Sequence, residues 1–90
     1  RAGRERRLDM VIYGNGQKME LPTYARDIRD YGNVVIVTAI ATEMGKTFVY
    51  RDIMTLAEEY ITKILGKPCR IIADSNYGNG NGLINYSFTF

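Results

Sequence analysis

A glycine-lysine-threonine tripeptide, Gly45-Lys46-Thr47, is the first feature of this chain whose residue types could do chemistry. It stands between a predicted strand and a predicted helix, as the end of a phosphate-binding loop does, where backbone N–H groups and a lysine surround phosphate. That loop also needs a glycine five residues before Gly45, and Ile40 stands there. Because its branched side chain would keep the backbone away from a phosphate, we interpret the tripeptide as a turn with a solvated lysine.

The stretch from Asp74 to Gly80 carries oxygen-bearing side chains at alternate positions, which is a feature of calcium-binding loops. The position of the sharp turn holds Asn79 instead of glycine, and the closing position holds Asn85 instead of glutamate. One carboxylate is too few to hold calcium well, so the stretch is better explained as the tip of a β-hairpin. We therefore expect no bound metal.

The side chains used most often in nucleophilic and acid–base catalysis are scarce. The chain has no histidine and one cysteine, Cys69, which also excludes a disulfide scaffold. Lys67 and Arg70 are basic neighbours in sequence, but no imidazole is present to take the thiol proton, so we expect a structural thiol. Glu58 and Glu59 are adjacent on a predicted helix and point in different directions. These observations predict a protein that is not an enzyme and that uses no cofactor.

The segment YGNGNG carries three candidate binding residues, Tyr77, Asn79 and Asn81. A rigid aromatic side chain beside adaptable amides is the composition of many binding loops. Tight turns by themselves favour Asn and Gly. A run of five such residues is nevertheless longer than a two-residue turn requires, which favours a binding role.

The excess of positive charge lies in the first residues of the chain. Residues 1–9 carry four arginines against two acidic residues, whereas residues 10–90 carry eight basic and eight acidic residues. Arg4, Arg6 and Arg7 of this basic arm are candidate phosphate contacts, and they would give weak, salt-sensitive binding. The alternative is that residues 1–9 are a disordered or extraneous tail.

Hydrophobic periodicity predicts the element order β-β-α-β-α-β-β in a domain spanning residues 10–90. Asn15-Gly16 predicts a tight hairpin turn between the first two strands, and a short helix is predicted from Thr23 to the left-handed stop at Gly32. Residues 33–41 are apolar on both faces, which is typical of the centre of a sheet. The other strands are predicted at residues 8–13, 17–21, 69–76 and 83–90.

One main amphipathic helix is predicted at about residues 50–65, ended by Gly66 and Pro68. Residues 46–50 are compatible with either a strand or the start of this helix. Strands 33–41 and 69–76 are compatible with either a parallel or an antiparallel arrangement. The predicted class is α+β: a single small domain with a mostly antiparallel sheet of about five strands and the main helix on one face.

Composition restricts the functional classes further. No stretch approaches the ~18 uncharged apolar residues of a membrane-spanning helix. No apolar segment follows the basic start as it does in a secretory signal, so we expect a cytoplasmic protein with no membrane association.

The absence of charge from residue 75 to residue 90 indicates burial or a partner. A long uncharged strand lacks the usual protection against edge pairing. We therefore predict a small regulatory or interaction module that binds a protein partner or a second copy of itself through a sheet edge or the C-terminal hairpin. Two alternatives remain: nucleic-acid binding through the arm and exposed tyrosines, and a small-molecule or nucleotide site at a subunit interface.

Overall fold

The computed structural model of the chain describes residues 8–40, 50–78 and 80–90, and it describes the side chains within these ranges from residue 14 onward. The described residues form six strands and one helix. In chain order these are β1 Leu8–Gly14, β2 Gln17–Pro22, β3 Ala25–Asp30, β4 Val34–Ile40, α1 Tyr50–Glu59 with a π-helical turn Tyr60–Ile64, β5 Ala73–Gly78 and β6 Leu83–Thr89. β1 and β2 form a two-stranded sheet, and the other strands form a four-stranded sheet in the order β3-β4-β6-β5. Every pairing is antiparallel, so the predicted α+β class is confirmed.

The predicted hairpin between the first two strands is confirmed. Asn15 and Gly16 both have positive φ angles, 50° and 71°, which is the backbone that a two-residue turn of the right twist needs. The pairing of Gly14 with Gln17 closes the turn. On the returning strand Met19 and Leu21 are buried on one face, as their alternation predicts.

The short helix predicted from Thr23 is wrong, because this segment is strand β3. Ala25 and Ile28 are three residues apart and both buried, a spacing that is typical of a helix face. In the structure a β-bulge between Ala25 and Asp27 adds one residue to the strand, so residues three apart share a face. The apolar strand β4 offers a partner edge, and this tertiary pairing prevails over the local periodicity.

β4 lies inside the sheet, between β3 and β6, as its apolar character predicts. Val35, Val37 and Ala39 are fully buried on the face that carries the helix. β4 and β5 are not neighbours, since β6 lies between them, and both run antiparallel to β6. The two segments therefore have the same direction without forming a parallel ladder.

The main helix is confirmed, and it buries the face predicted for it. Its first described residue is Tyr50, and Gly66, with a φ of 67°, follows its end. Residues 46–49 lie outside the described residues, so the choice between strand and helix at 46–50 is answered only for Tyr50, which is helical. The helix and its π-helical turn bury Ile53, Leu56, Ala57, Tyr60, Ile61 and Ile64.

β5 is shifted along the chain relative to the predicted strand at 69–76. β6 ends at Thr89, opposite Ala73, so the residues before Ala73 have no regular ladder partner. At the other end Tyr77 and Gly78 pair with Asn85 and Ile84 and extend the strand into the predicted turn. Residues 80–82 precede β6, and positive φ angles at two of these positions favour glycine: Gly80 at 81° and Gly82 at 87°.

Candidate interaction edge

Among the described residues the four-stranded sheet has two edge strands, β3 and β5, and their sequences differ sharply in charge. β3 (ARDIRD) carries four charged side chains in six residues and also contains the bulge. β5 (ADSNYG) carries one charged side chain, Asp74, and all six of its residues are exposed. Charges and bulges are the devices that keep an edge strand from pairing with another chain. β3 has both, whereas β5 has a regular register with β6 and a single carboxylate.

The ladder shows which backbone groups of β5 face away from the sheet. The N–H of Phe90 donates to the carbonyl of Asn33, at 2.9 Å. Because hydrogen-bonding direction alternates along a strand, Leu83, Asn85, Ser87 and Thr89 of β6 then direct their backbone groups toward β5. Their partners Ser75 and Tyr77 bond inward, so the N–H and C=O groups of Asp74, Asn76 and Gly78 point outward. We call the strand that carries this outward row, residues 73–78, the β5 edge.

Side chains alternate across the β5 edge. Asp74 and Asn76 are opposite Phe88 and Tyr86 and lie on the helix side of the sheet. Ser75 and Tyr77 lie on the other face, and 55% of Tyr77 is exposed. An approaching strand would therefore meet polar side chains on one face and an aromatic ring on the other.

The β5 edge is held in place by the first residue of the helix. The Tyr50 ring packs against Tyr86 and Phe88, with centroids 5.8 Å and 6.1 Å apart, and its hydroxyl donates a hydrogen bond to Asp74. Burial, together with that hydrogen bond and the negative charge of Asp74, raises the pKa of Tyr50 to about 12. The hydroxyl is therefore protonated at neutral pH, and its hydrogen bond to Asp74 joins the helix to β5.

A second tyrosine makes the matching contact at the opposite edge. The Tyr60 hydroxyl donates to the Asp30 carboxylate of β3 at 2.8 Å. Burial, and then this hydrogen bond, raises the pKa of Tyr60 to about 12. The helix thus crosses the sheet and is hydrogen-bonded to both of its edge strands.

Two of the candidate binding residues lie within the described part of the chain. Tyr77 lies in β5, and Asn81 is exposed in the connection that follows it. Asn79, and Arg4, Arg6 and Arg7 of the arm, lie outside the described residues. Asp74 and Asn76, which share the β5 edge with Tyr77, were not among the residues predicted from the sequence, although the contrast in charge between the two edge segments is visible there.

Other chemistry-bearing groups do not form a reactive centre among the described residues. Burial, and then the nearby Glu58 carboxylate, raises the pKa of the Cys69 thiol, which lowers its thiolate content at neutral pH. A shallow cavity of about 560 Å³ lies beside it along the polar side of the helix, lined in part by Thr55 and Thr62. In the described ranges no three His, Cys, Asp or Glu side chains are grouped as a metal site would need. Gly45-Lys46-Thr47 lies outside those ranges.

No helix in the described part of the chain has the length and apolar character needed to cross a membrane.

Comparisons of the chain with protein-family models, with curated proteins and with solved structures each gave no match. Function is therefore inferred from the β5 edge itself.

Proposed function

We propose that the protein is a non-enzymatic interaction module that binds an extended polypeptide segment as an additional strand along the β5 edge. The observation that carries the proposal is the contrast between the two edges of one sheet. β3 carries four charged side chains and a bulge, whereas β5 is exposed, pairs regularly with β6 and carries one charged side chain. An edge strand without charges or a bulge exposes a protein to aggregation, so its presence in a natural sequence indicates that a specific strand binds there.

The binding mode is β-augmentation. The outward N–H and C=O groups of Asp74, Asn76 and Gly78 supply main-chain hydrogen bonds, which give affinity with little dependence on sequence. Selectivity comes from the side chains that flank this row, chiefly Tyr77 on one face and Asp74 on the other. Because Tyr50 and the pairing with β6 already hold β5, little conformational entropy is lost at this edge on binding.

Nucleic-acid binding by the folded body has less support. Three of its basic side chains lie within 3.5 Å of a carboxylate, in the pairs Lys18–Glu20, Arg29–Asp27 and Lys63–Glu59. Paired cations on a body with no net positive charge make a weak electrostatic footprint for phosphates. The arginine arm remains the place where such binding would begin.

The test is a selection of linear peptides from a phage-displayed library on the full chain, followed by amide NMR of the bound complex. We expect selected peptides to protect the amides of Asp74, Asn76 and Gly78 from exchange. Asn76→Pro removes an outward N–H without removing a bond to β6, so it should abolish binding while the fold remains. Asn76→Ser keeps the N–H and serves as the matched control.

Two results would contradict the proposal. One is selected peptides that bind Asn76→Pro as tightly as the parent chain. The other is protection that maps to β3 or to the helix and leaves the β5 amides unchanged.

A further inference from the structure

We infer that the strand that occupies the β5 edge is β5 of a second copy of the chain, antiparallel and centred on Ser75. The inference rests on the proposed function and names its partner. Two copies related by a two-fold axis would join their four-stranded sheets into one continuous sheet, with both helices on the same face. This register matches the residues of β5 in charge and in size, whereas the neighbouring registers do not.

Charge distinguishes the possible registers. In a symmetric antiparallel pair of identical strands, the residue at the two-fold axis lies opposite the same residue of the partner subunit. Centring on Asp74 would oppose two carboxylates, which is destabilising. Centring on Asn76 would oppose Asp74 with a glycine of the partner. Centring on Ser75 opposes each Asp74 with Asn76 of the partner subunit, so each carboxylate meets an amide that can donate to it.

The same register also satisfies the outward backbone groups of Asp74 and Asn76. Asp74 and Asn76 both direct their N–H and C=O groups to the β5 edge. With Ser75 at the centre, Asp74 of each copy lies opposite Asn76 of the partner subunit. Each of these two pairs can form both of its main-chain hydrogen bonds, N–H to C=O in each direction. The Asp74 carboxylate has two oxygens and can accept from an amide while it accepts from Tyr50.

Side-chain size is complementary in this register. Tyr77 is opposite Ala73 of the partner subunit, so the exposed ring has a small residue to cover. In both copies the large exposed ring thus meets a small residue, and part of its exposed apolar surface becomes covered.

The experiment is sedimentation equilibrium of the full chain from about micromolar to about millimolar concentration, because one pair of edge strands makes a small interface. Two variants at one exposed position test the register. In Asn76→Asp, each of the two symmetric pairs would place a carboxylate opposite Asp74 of the other copy. We expect the dissociation constant of the dimer to rise about tenfold. Asn76→Lys would oppose Asp74 with an ammonium group twice, and we expect dimerisation to strengthen.

The outcomes separate this inference from the proposed function. A chain that is monomeric throughout overturns the second-copy inference, while the peptide selection still decides whether the β5 edge binds strands. A dimer that both charge variants weaken, or that neither changes, overturns the Ser75 register. A dimer that persists in Asn76→Pro places the interface elsewhere. Circular dichroism and urea unfolding of each variant establish that the fold is retained.

Discussion

Tyr50 and Tyr60 show how single hydroxyl groups position a whole helix. Each donates to a carboxylate on a different edge strand, Asp74 on β5 and Asp30 on β3. A phenol that donates to a carboxylate must be protonated, and ionisation would place two negative charges side by side. The raised pKa values therefore link the attachment of the helix to the pH of the solution.

The free energy of unfolding should fall at alkaline pH because of these two tyrosines. Their pKa values are about 12 in the folded chain against 10.0 when unperturbed, so the unfolded state loses its protons first. The stabilisation is fully present below pH 10 and is lost as pH rises toward 12. Urea unfolding followed by circular dichroism across this range measures the loss.

Tyr60→Phe isolates one of the two contributions. The variant should lose about 1 kcal/mol of stability at neutral pH, since it removes one hydrogen bond. It should also lose less additional stability between pH 10 and pH 12 than the parent chain. Tyr31→Phe, at a tyrosine that is 57% exposed, is the matched control. Parallel losses in the parent chain and in Tyr60→Phe would refute the assignment.

Asn15 has two roles that its sequence context reveals only in part. Its tolerance of positive φ forms the hairpin turn, which the sequence predicts. Its side-chain amide also donates to the carbonyl of Ile64, at 2.6 Å, which attaches the hairpin to the end of the helix. A Cβ atom on Gly66 would come within 2.7 Å of this amide, so the glycine permits the contact as well as ending the helix.

At the scale of elements, the pairing of β4 with β6 contains a buried polar contact. The Thr38 hydroxyl donates to the side-chain carbonyl of Asn85 at 2.6 Å, and both residues are buried. The two residues are direct partners across the ladder. Since a shift by one residue would separate them and bury two unsatisfied groups, this contact helps to define the register.

We expect the two residues to be strongly coupled energetically. Thr38→Val removes the donor and leaves the Asn85 carbonyl without it, at a cost of about 1–3 kcal/mol. Thr38→Val combined with Asn85→Leu removes both polar groups and should cost less than the sum of the single changes. Urea unfolding of the four chains of this double-mutant cycle gives the coupling energy. Additive losses would show that the contact does not act as a pair.

At the scale of the whole molecule, the excess of positive charge lies in the first residues of the chain. Residues 1–7, the part of the arm that precedes β1, hold four arginines and one glutamate, and the rest of the chain has eight basic and nine acidic residues. The positive charge that a nucleic acid would need is thus concentrated in the arm.

Any salt-sensitive binding to DNA should therefore depend on the arm. We expect the fluorescence anisotropy of a labelled single-stranded oligonucleotide to respond to the full chain only at low salt. The response should disappear when residues 1–7 are removed, because the remainder has a net charge of −1. The matched control replaces the arm arginines with glutamine. Tight binding that survives the deletion would support a nucleic-acid function for the folded body and would weigh against the β5 edge.

Much of the fold could be predicted from local patterns. The Asn15-Gly16 turn, the central position of β4 and the buried face of the helix each follow from residues that are close in sequence. The segment from Thr23 to Gly32 could not be predicted this way, because a bulge made strand residues repeat like a helix face. The candidate binding residue Tyr77 was found from composition, whereas Asp74 and Asn76 were not, since their role depends on which strand is outermost.

Composition and local patterning alone establish the class of the protein: a small α+β domain without histidine or a second cysteine, with no net charge over residues 10–90 and no charged residue after Asp74. Those properties depend on composition and on periodicities of two to four residues. The position of β6 between β4 and β5, which makes β5 an edge strand among the described residues, is seen in the folded chain and not in its local patterns. Strand order depends on pairing between segments far apart in the chain, which local periodicity does not encode. The edge, and with it the site, exists because of that pairing.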